Sequence, residues 1–495
     1  MRLAGAVAAC VSLAIGELAA GVITAFPSLV SGVATFVIDN VPSFVKELAI
    51  EVFGTADKLA LGVGIVIVSL LLGAWVGPKA MADRRVAVAV FGAFGVAGAL
   101  AAGRTPQADV VPALLNGTLA AIAGIAALEL LFRLRARPES EGRRSFLIGA
   151  GSLVAFALVS VLIGRSLASA TRVSLARRSE ISLPDPVDPA VELTDAMTLE
   201  VEGISPLITP NDVFYRIDTA PFSVPRVDIE TWSVKITGMV EREVELTYQD
   251  LERMDLVERY ITIACVSNEV GGGLVGNAKW LGVPLSELLD RAGVQSGAEQ
   301  VVGRSVDGFT VGFPVEAAFD GRDALVAIGM NDEPLPMEHG FPARLVVSGL
   351  YGYVSATKWL DEIELTTWDA FDAYWIPRGW AKEAPIKTQS RIDTPRQGRI
   401  EPGPRAISGV AWAPNIGISR VEVRIDGADW VEADLAEPLG KDAWRQWTLP
   451  WEPESGSHTI AVRATDANGE TQTSEVARPA PDGASGYHRI RVVVP

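Results

Sequence analysis

The chain of 495 residues has only two cysteines and three histidines. Two thiols cannot build a disulfide framework, and Cys10 lies in an apolar N-terminal run that reads as membrane-embedded, leaving Cys265 without a partner. His339, His458 and His488 all lie beyond residue 180, so no transmembrane haem is held by two histidines in the apolar half. Neither a dinucleotide fingerprint nor a phosphate loop is present. Positive charge is scarce where it would matter for nucleic acid. Residues 1–180 carry 16 Lys and Arg against 11 Asp and Glu, a net of +5; the whole chain is −17, so the remainder carries −22. A module that acidic repels nucleic acid.

What is present first is hydrocarbon: 49% of residues are apolar. Five stretches are long enough to span a bilayer, at about 3–25, 60–78, 86–103, 110–132 and 146–164. Residues 26–56 carry Pro27, Pro42, Asp39, Lys46, Glu47 and Glu51, and read as interfacial or re-entrant. Glu17 falls inside a span, where a carboxyl is costly and flags function or a partner within the bundle. Lys79, Arg84 and Arg85, then Arg133, Arg135, Arg137, Arg143 and Arg144, mark two cytoplasmic loops. The expected topology puts the N-terminus in the cytoplasm and everything after Arg165 outside the plasma membrane. Arg143–Arg144 followed by Phe146–Leu147 and an apolar run resembles a twin-arginine export signal.

Residues 166–200, rich in Ser, Pro and Asp, read as a linker. From 201 to 395 short strand and helix patterns alternate. "WSVKITGMV" and "RYITIACV" are strands. "TYQDLERM" is a helix capped by Thr247, and "PLSELLDRAGV" a helix stopped by Gly293. From 396 to 495 evenly spaced strands end in Gly, Asp-Gly or Asn-Gly turns, which suits an immunoglobulin-like sandwich. The fold class expected is therefore multi-domain: a transmembrane α-helical bundle over 1–165, the linker, an α+β domain, and an all-β domain.

Cys265 stands in "ITIACVSNEVGGGLVGNAKW", a glycine-rich turn after a strand. Alone, such a thiol is a small buried hydrophobe, a reactive group or a metal ligand. The segments "PNDVFYRID", "IACVSNEVGG", "NAKWLGVPLSELL" and "MNDEPLPMEHGFPARLVVSGLYGYVSATKWL", with the terminal sandwich, together resemble the sulfite oxidase family of molybdopterin enzymes over about 200–495. The resemblance implies that 201–395 is the molybdopterin-binding catalytic domain, with one pterin, and that Cys265 binds its molybdenum. A soft thiolate suits a high-valent metal already held by sulfur. It also implies Tyr215, Arg216, Asp218, Asp307, His339, Arg344, Thr357 and Lys358 as cofactor-binding residues, and a C-terminal domain that forms homodimers.

Two departures bear on the reaction. Sulfite-oxidising members have an arginine soon after the cysteine, and here Glu269 stands in that turn. A carboxylate beside the metal disfavours sulfite. "FYRID" also replaces an arginine-asparagine-histidine run. Cys265, Glu269 and Tyr353 are the expected catalytic residues. The expected reaction is oxygen-atom transfer on a small S- or N-oxide, with sulfite oxidation, or a non-catalytic membrane scaffold or binding protein, as alternatives. No haem is expected in the chain, so a separate cytochrome or quinone would exchange the electrons.

Overall fold

A computed structural model describes the whole chain except residues 24, 42–44, 46–51, 54–56, 105–109, 171–177, 220–223 and 226. It divides into two compact units, Met1–Ala176 with Asp218–Arg226, and Arg177–Ile217 with Val227–Pro495.

The first unit is helical. Its described helices are α1 (Arg2–Val22), α2 (Leu29–Asn40), α3 (Asp57–Ala82), α4 (Arg84–Ala102), α5 (Val110–Arg135) and α6 (Glu139–Ala170). All but α2 are long and apolar enough to cross a membrane. Glycines set the packing distance. A Cβ on Gly95 of α4 or Gly117 of α5 would land on the other's backbone, and Gly5 of α1 meets Gly73 of α3 in the same way. Small residues at the crossing let bare backbones touch, which holds helices together where burial in lipid gives no gain.

Glu17 is not stranded in this unit. It accepts hydrogen bonds from Ser28 Oγ (2.9 Å) and from the Val30 N–H (3.2 Å) at the start of α2. Helix α2 occupies part of the stretch expected to be interfacial; Pro42, Lys46, Glu47 and Glu51 lie outside the described residues. Arg143 and Arg144 lie inside α6, not in a loop ahead of it.

The second unit is β-rich. One sheet is ordered β2-β1-β10-β5-β6, from β1 (Ser233–Gly238), β2 (Val244–Thr247), β5 (Gln300–Ser305), β6 (Thr310–Pro314) and β10 (Leu360–Thr366). Another runs β3-β4-β7-β8, with β9 on β7. Its members are β3 (Val257–Ala264), β4 (Val275–Pro284), β7 (Ala324–Met330), β8 (Glu333–Pro334) and β9 (Arg344–Val347). Two short helices follow the expected signals. In α7 (Tyr248–Glu252) Thr247 and Asp250 form a reciprocal capping box, and α8 (Leu285–Ala292) ends at Gly293 with φ 73°.

The last strands form two further sheets. One is β11-β13-β17-β16, from β11 (Gln389–Thr394), β13 (Arg405–Trp412), β16 (Asp434–Leu435) and β17 (Arg445–Trp451). The other is β12-β19-β18-β14-β15, from β12 (Gly398–Arg399), β14 (Ile418–Ile425), β15 (Val431–Glu432), β18 (Gly456–Asp466) and β19 (His488–Val494). Both sheets feed one core, with Ile407 and Trp447 from the first and Val421, Val462 and Val492 from the second.

The stretch expected as a linker begins inside α6, and from Arg178 onward it is bonded to the β-rich unit at several points. Arg178 donates to the Pro334 and Leu335 carbonyls and pairs with Glu333 at 2.9 Å. Asp188 bridges to Val257 on β3, and the Leu199 N–H donates to Gln446 Oε1 (2.8 Å). These bonds satisfy side-chain and backbone groups at residues 178, 188 and 199.

Candidate active site

Strands β3 and β4 are antiparallel, with Ala264 opposite Val275, so residues 265–274 are their hairpin connection. The Cys265 N–H donates to the Leu274 carbonyl (2.9 Å) and closes it. Within the loop, Asn268 N–H donates to Cys265 O (3.0 Å), Gly272 N–H to Glu269 O (2.8 Å), and Leu274 N–H to Asn268 Oδ1 (2.8 Å). Gly271 sits at φ 80°, a conformation that side-chain-bearing residues avoid.

Cys265 is 7% exposed. Burial pushes its thiol up, while hydrogen bonds from Ser267 and the charge of Lys358 pull the other way. A thiol so buried becomes a thiolate when a metal displaces its proton.

A second group of side chains comes from the Met337–His339 turn, β9 and the segment leading to β10. His339 Nε2 donates to the Asn211 carbonyl (2.8 Å), which leaves Nδ1 as the acceptor. Burial brings His339 down to about 4, with Arg344 and Lys358 adding to the fall, so the ring is neutral at pH 7. Phe214 lies edge-on to His339 at 5.6 Å and stacks with Tyr215 at 5.3 Å. Burial raises Tyr215 well above its ordinary range, with Cys265 adding and Arg344 opposing. The phenol therefore stays a proton donor, within electrostatic reach of both.

Arg344 is 2% exposed and burial lowers it to about 10, so it remains charged. Its guanidinium donates to the His339 (3.0 Å) and Leu345 (3.4 Å) carbonyls and lies over the Trp280 ring at 4.9 Å. Among the described residues no carboxylate comes within ion-pair distance of it. A buried cation with only carbonyl and ring partners is costly and suits an anionic ligand. Lys358 donates to the Glu338 carbonyl (3.0 Å). Thr357 donates to Gly303 O (3.3 Å), and its carbonyl takes the Leu345 N–H. Asp307 is one bond removed: its neighbour Val306 donates to the Trp359 carbonyl (2.9 Å).

Cys265, Tyr215, His339, Arg344, Thr357 and Lys358 thus gather in one place, with Asp307 at its edge. Tyr353, on α9 (Gly352–Ser355), donates to the Ala381 carbonyl (2.6 Å) and packs on Trp380. Arg216 and Glu269 are exposed. Asp218 belongs to the first unit.

Four residues were not anticipated. Ser267 bonds the thiol, and burial raises Tyr351 to about 12, with the Cys265 charge contributing. Arg391 Nη1 donates to the Gly272 carbonyl (2.9 Å) while its Nε pairs with Asp393 at 2.6 Å. A Cβ on Gly271 would run into the His488 ring, 2.7 Å from Cγ. Ser267 was open to local reasoning, as a hydroxyl two residues past the cysteine. Arg391 and His488 were not, because they come from β11 and β19.

The group combines a buried hairpin cysteine with two buried cations, Arg344 and Lys358. Residues 221–375 match the family model described as the oxidoreductase molybdopterin binding domain. Mitochondrial sulfite oxidase of Rattus norvegicus is 28% identical over 320 residues, covering 54% of this chain and 58% of that protein. Sulfite oxidase of Arabidopsis thaliana is 28% identical over 364 residues, covering 60% of this chain and 92% of that one. The chain spans 58% of the length of the first of these curated relatives. The crystal structure of the sulfane dehydrogenase SoxCD from Paracoccus pantotrophus matches with a TM-score of 0.51 at 25% identity, over 60% of this chain and 85% of that one. These likenesses support a sulfite oxidase-like molybdopterin-dependent oxidoreductase, carried by residues 221–375. The molybdopterin binding domain implies a molybdenum–pterin cofactor, and the buried Arg344, with no carboxylate partner among the described residues, fits the anionic end of such a group.

Proposed function

We propose that the protein is a membrane-anchored oxidoreductase whose β-rich unit works outside the plasma membrane and moves an oxygen atom from a small S- or N-oxide. What supports this reading is that Cys265, buried in its hairpin, lies within electrostatic reach of Lys358 and Tyr215, and Tyr215 within reach of Arg344. Cys265 would bind the metal of a cofactor with one pterin. Arg344 and Lys358 would hold its anionic end, with Tyr215, Thr357 and neutral His339 as hydrogen-bonding neighbours and Asp307 and Arg216 further out. When bound, the cofactor supplies the two-electron redox chemistry of oxygen-atom transfer. The chain's own part is to keep the thiol in a dry hairpin and to present fixed donors. Tyr215 and Tyr353 remain protonated and can donate. The electrons are exchanged with a separate carrier, and the chain itself would carry no haem.

The substrate reading rests on Glu269, the acid of the cysteine turn. Its carboxylate would repel an anion and tolerate a neutral oxide. Sulfite oxidation is the second reading, favoured by the cations near Cys265 and by the names of the relatives. We also read the two terminal sheets as an immunoglobulin-like sandwich through which two copies pair. The helices would anchor the chain, with α6 bearing a twin-arginine signal and the N-terminus in the cytoplasm.

The test is Cys265→Ser in the full chain, with molybdenum analysis beside turnover of a panel of neutral oxides and sulfite. Loss of turnover with the fold retained is expected. Full turnover in the variant refutes the assignment.

A further inference from the structure

The helical unit holds a half-open cavity of about 480 Å³ that the chemistry above does not use. This size suits a small organic ligand. Glu17, Phe36, Phe91, Phe94, Ser69 and Arg104 are among its lining residues, and the remaining wall is mostly aliphatic. The Glu17 carboxylate is fixed at the wall by Ser28 Oγ and the Val30 N–H. At the far side the Arg104 guanidinium lies 5.5 Å from the Phe36 ring centroid.

An apolar chamber with three phenylalanines and one held carboxylate selects its occupant. A phospholipid's acyl chains suit the aliphatic wall but give the Glu17 carboxyl group no hydrogen-bond donor. A quinol offers a flat ring for the phenylalanines, two hydroxyl donors for the carboxylate, and a hydrocarbon tail for the aliphatic wall. Its oxidation also has the right count. A quinol leaves as quinone after giving up two electrons and its two hydroxyl protons. A sulfoxide takes up two electrons and two protons to become a thioether and water.

We propose that this cavity is a binding site for an isoprenoid-type quinol and its quinone, which serve as the electron carrier; the redox part of this inference rests on the reading of the protein as an oxide reductase. The Glu17 carboxylate accepts a hydrogen bond from one quinol hydroxyl and is the first acceptor of its proton.

The test is calorimetric binding of decyl-ubiquinol and decyl-ubiquinone to the full chain in lipid nanodiscs, with no oxide present. Saturable binding above empty discs is expected. Val33→Trp, which fills the cavity from α2, should weaken both ligands at least tenfold with helical content unchanged; Ala97→Phe, from α4, gives a second filling variant if the first misfolds. Glu17→Gln should weaken the quinol more than the quinone. Absence of saturable binding, equal affinity in the filled variants, or equal displacement by added phosphatidylcholine overturns the proposal. Because binding is read without turnover, a chain that binds quinol but reduces no oxide refutes the oxide-reductase reading and leaves this site standing.

Discussion

Gly271→Ala should damage the cysteine hairpin through two separable costs. The first is conformational. At φ 80° an alanine carries a penalty of roughly 1–2 kcal/mol that glycine does not. The second is steric. The new methyl would enter the His488 ring, and that ring is held because His488 Nδ1 accepts the Ile392 N–H at 3.0 Å. Overpacking of this kind costs roughly 1–3 kcal/mol. Together they predict a loss of about 2–5 kcal/mol. His488→Ala alone should cost about 1–3 kcal/mol, because it leaves the Ile392 N–H unpaired. In the double variant the steric cost disappears and the conformational cost remains. The double variant should therefore be more stable than the sum of the singles by roughly 1–3 kcal/mol. The assay is calorimetric unfolding of the full chain at fixed pH, supported by hydrogen exchange across residues 265–274. If Gly271→Ala costs the same with and without the His488 ring, the contact between β19 and the cysteine turn plays no part in holding it.

Arg344→Met should lower molybdenum–pterin occupancy several-fold while leaving the melting temperature unchanged or higher, since the apolar replacement removes a buried charge; metal analysis and calorimetry on one preparation check both arms. Glu269→Arg should improve sulfite binding and weaken turnover of neutral oxides, by at least about 1 kcal/mol each at an intermediate dielectric; steady-state kinetics that move neither substrate show that this exposed carboxylate is too far from the chemistry to matter. Changing Arg143 and Arg144 both to Lys should strand the β-rich unit in the cytoplasm with its cofactor bound; unchanged protease access on intact cells leaves the pair as ordinary positive charge at the start of α6.

Local chemistry made much of this legible. Thr247 and Gly293 announce their helix ends, because caps are satisfied within a few residues. Cys265 stands out because so few thiols exist to compete for attention. Arg344 was readable as a cation entering an apolar strand, and it is buried there. What escaped was long-range. The guanidinium that holds the Gly272 carbonyl is 119 residues away in the chain. The ring against Gly271 arrives from β19, the last strand. Serine, proline and aspartate between 178 and 200 look like solvent-seeking chain, and no local pattern reveals that β3 and β17 supply their bonding partners. Glu269 shows the opposite case: its place four residues past Cys265 is plain in the sequence, but its exposure depends on which way the loop turns.

The strapped segment has a consequence for how the two modules can be recombined. A graft that joins foreign helices at residue 200 would discard Arg178, Asp188 and Leu199 along with the native helices. It would leave Glu333, the Pro334 and Leu335 carbonyls, Val257 and Gln446 without the groups that now cover them. The suture for chimaeras therefore lies upstream of Arg178, and an inherited β-rich module must travel with the whole strap to remain sealed along β3 and β17.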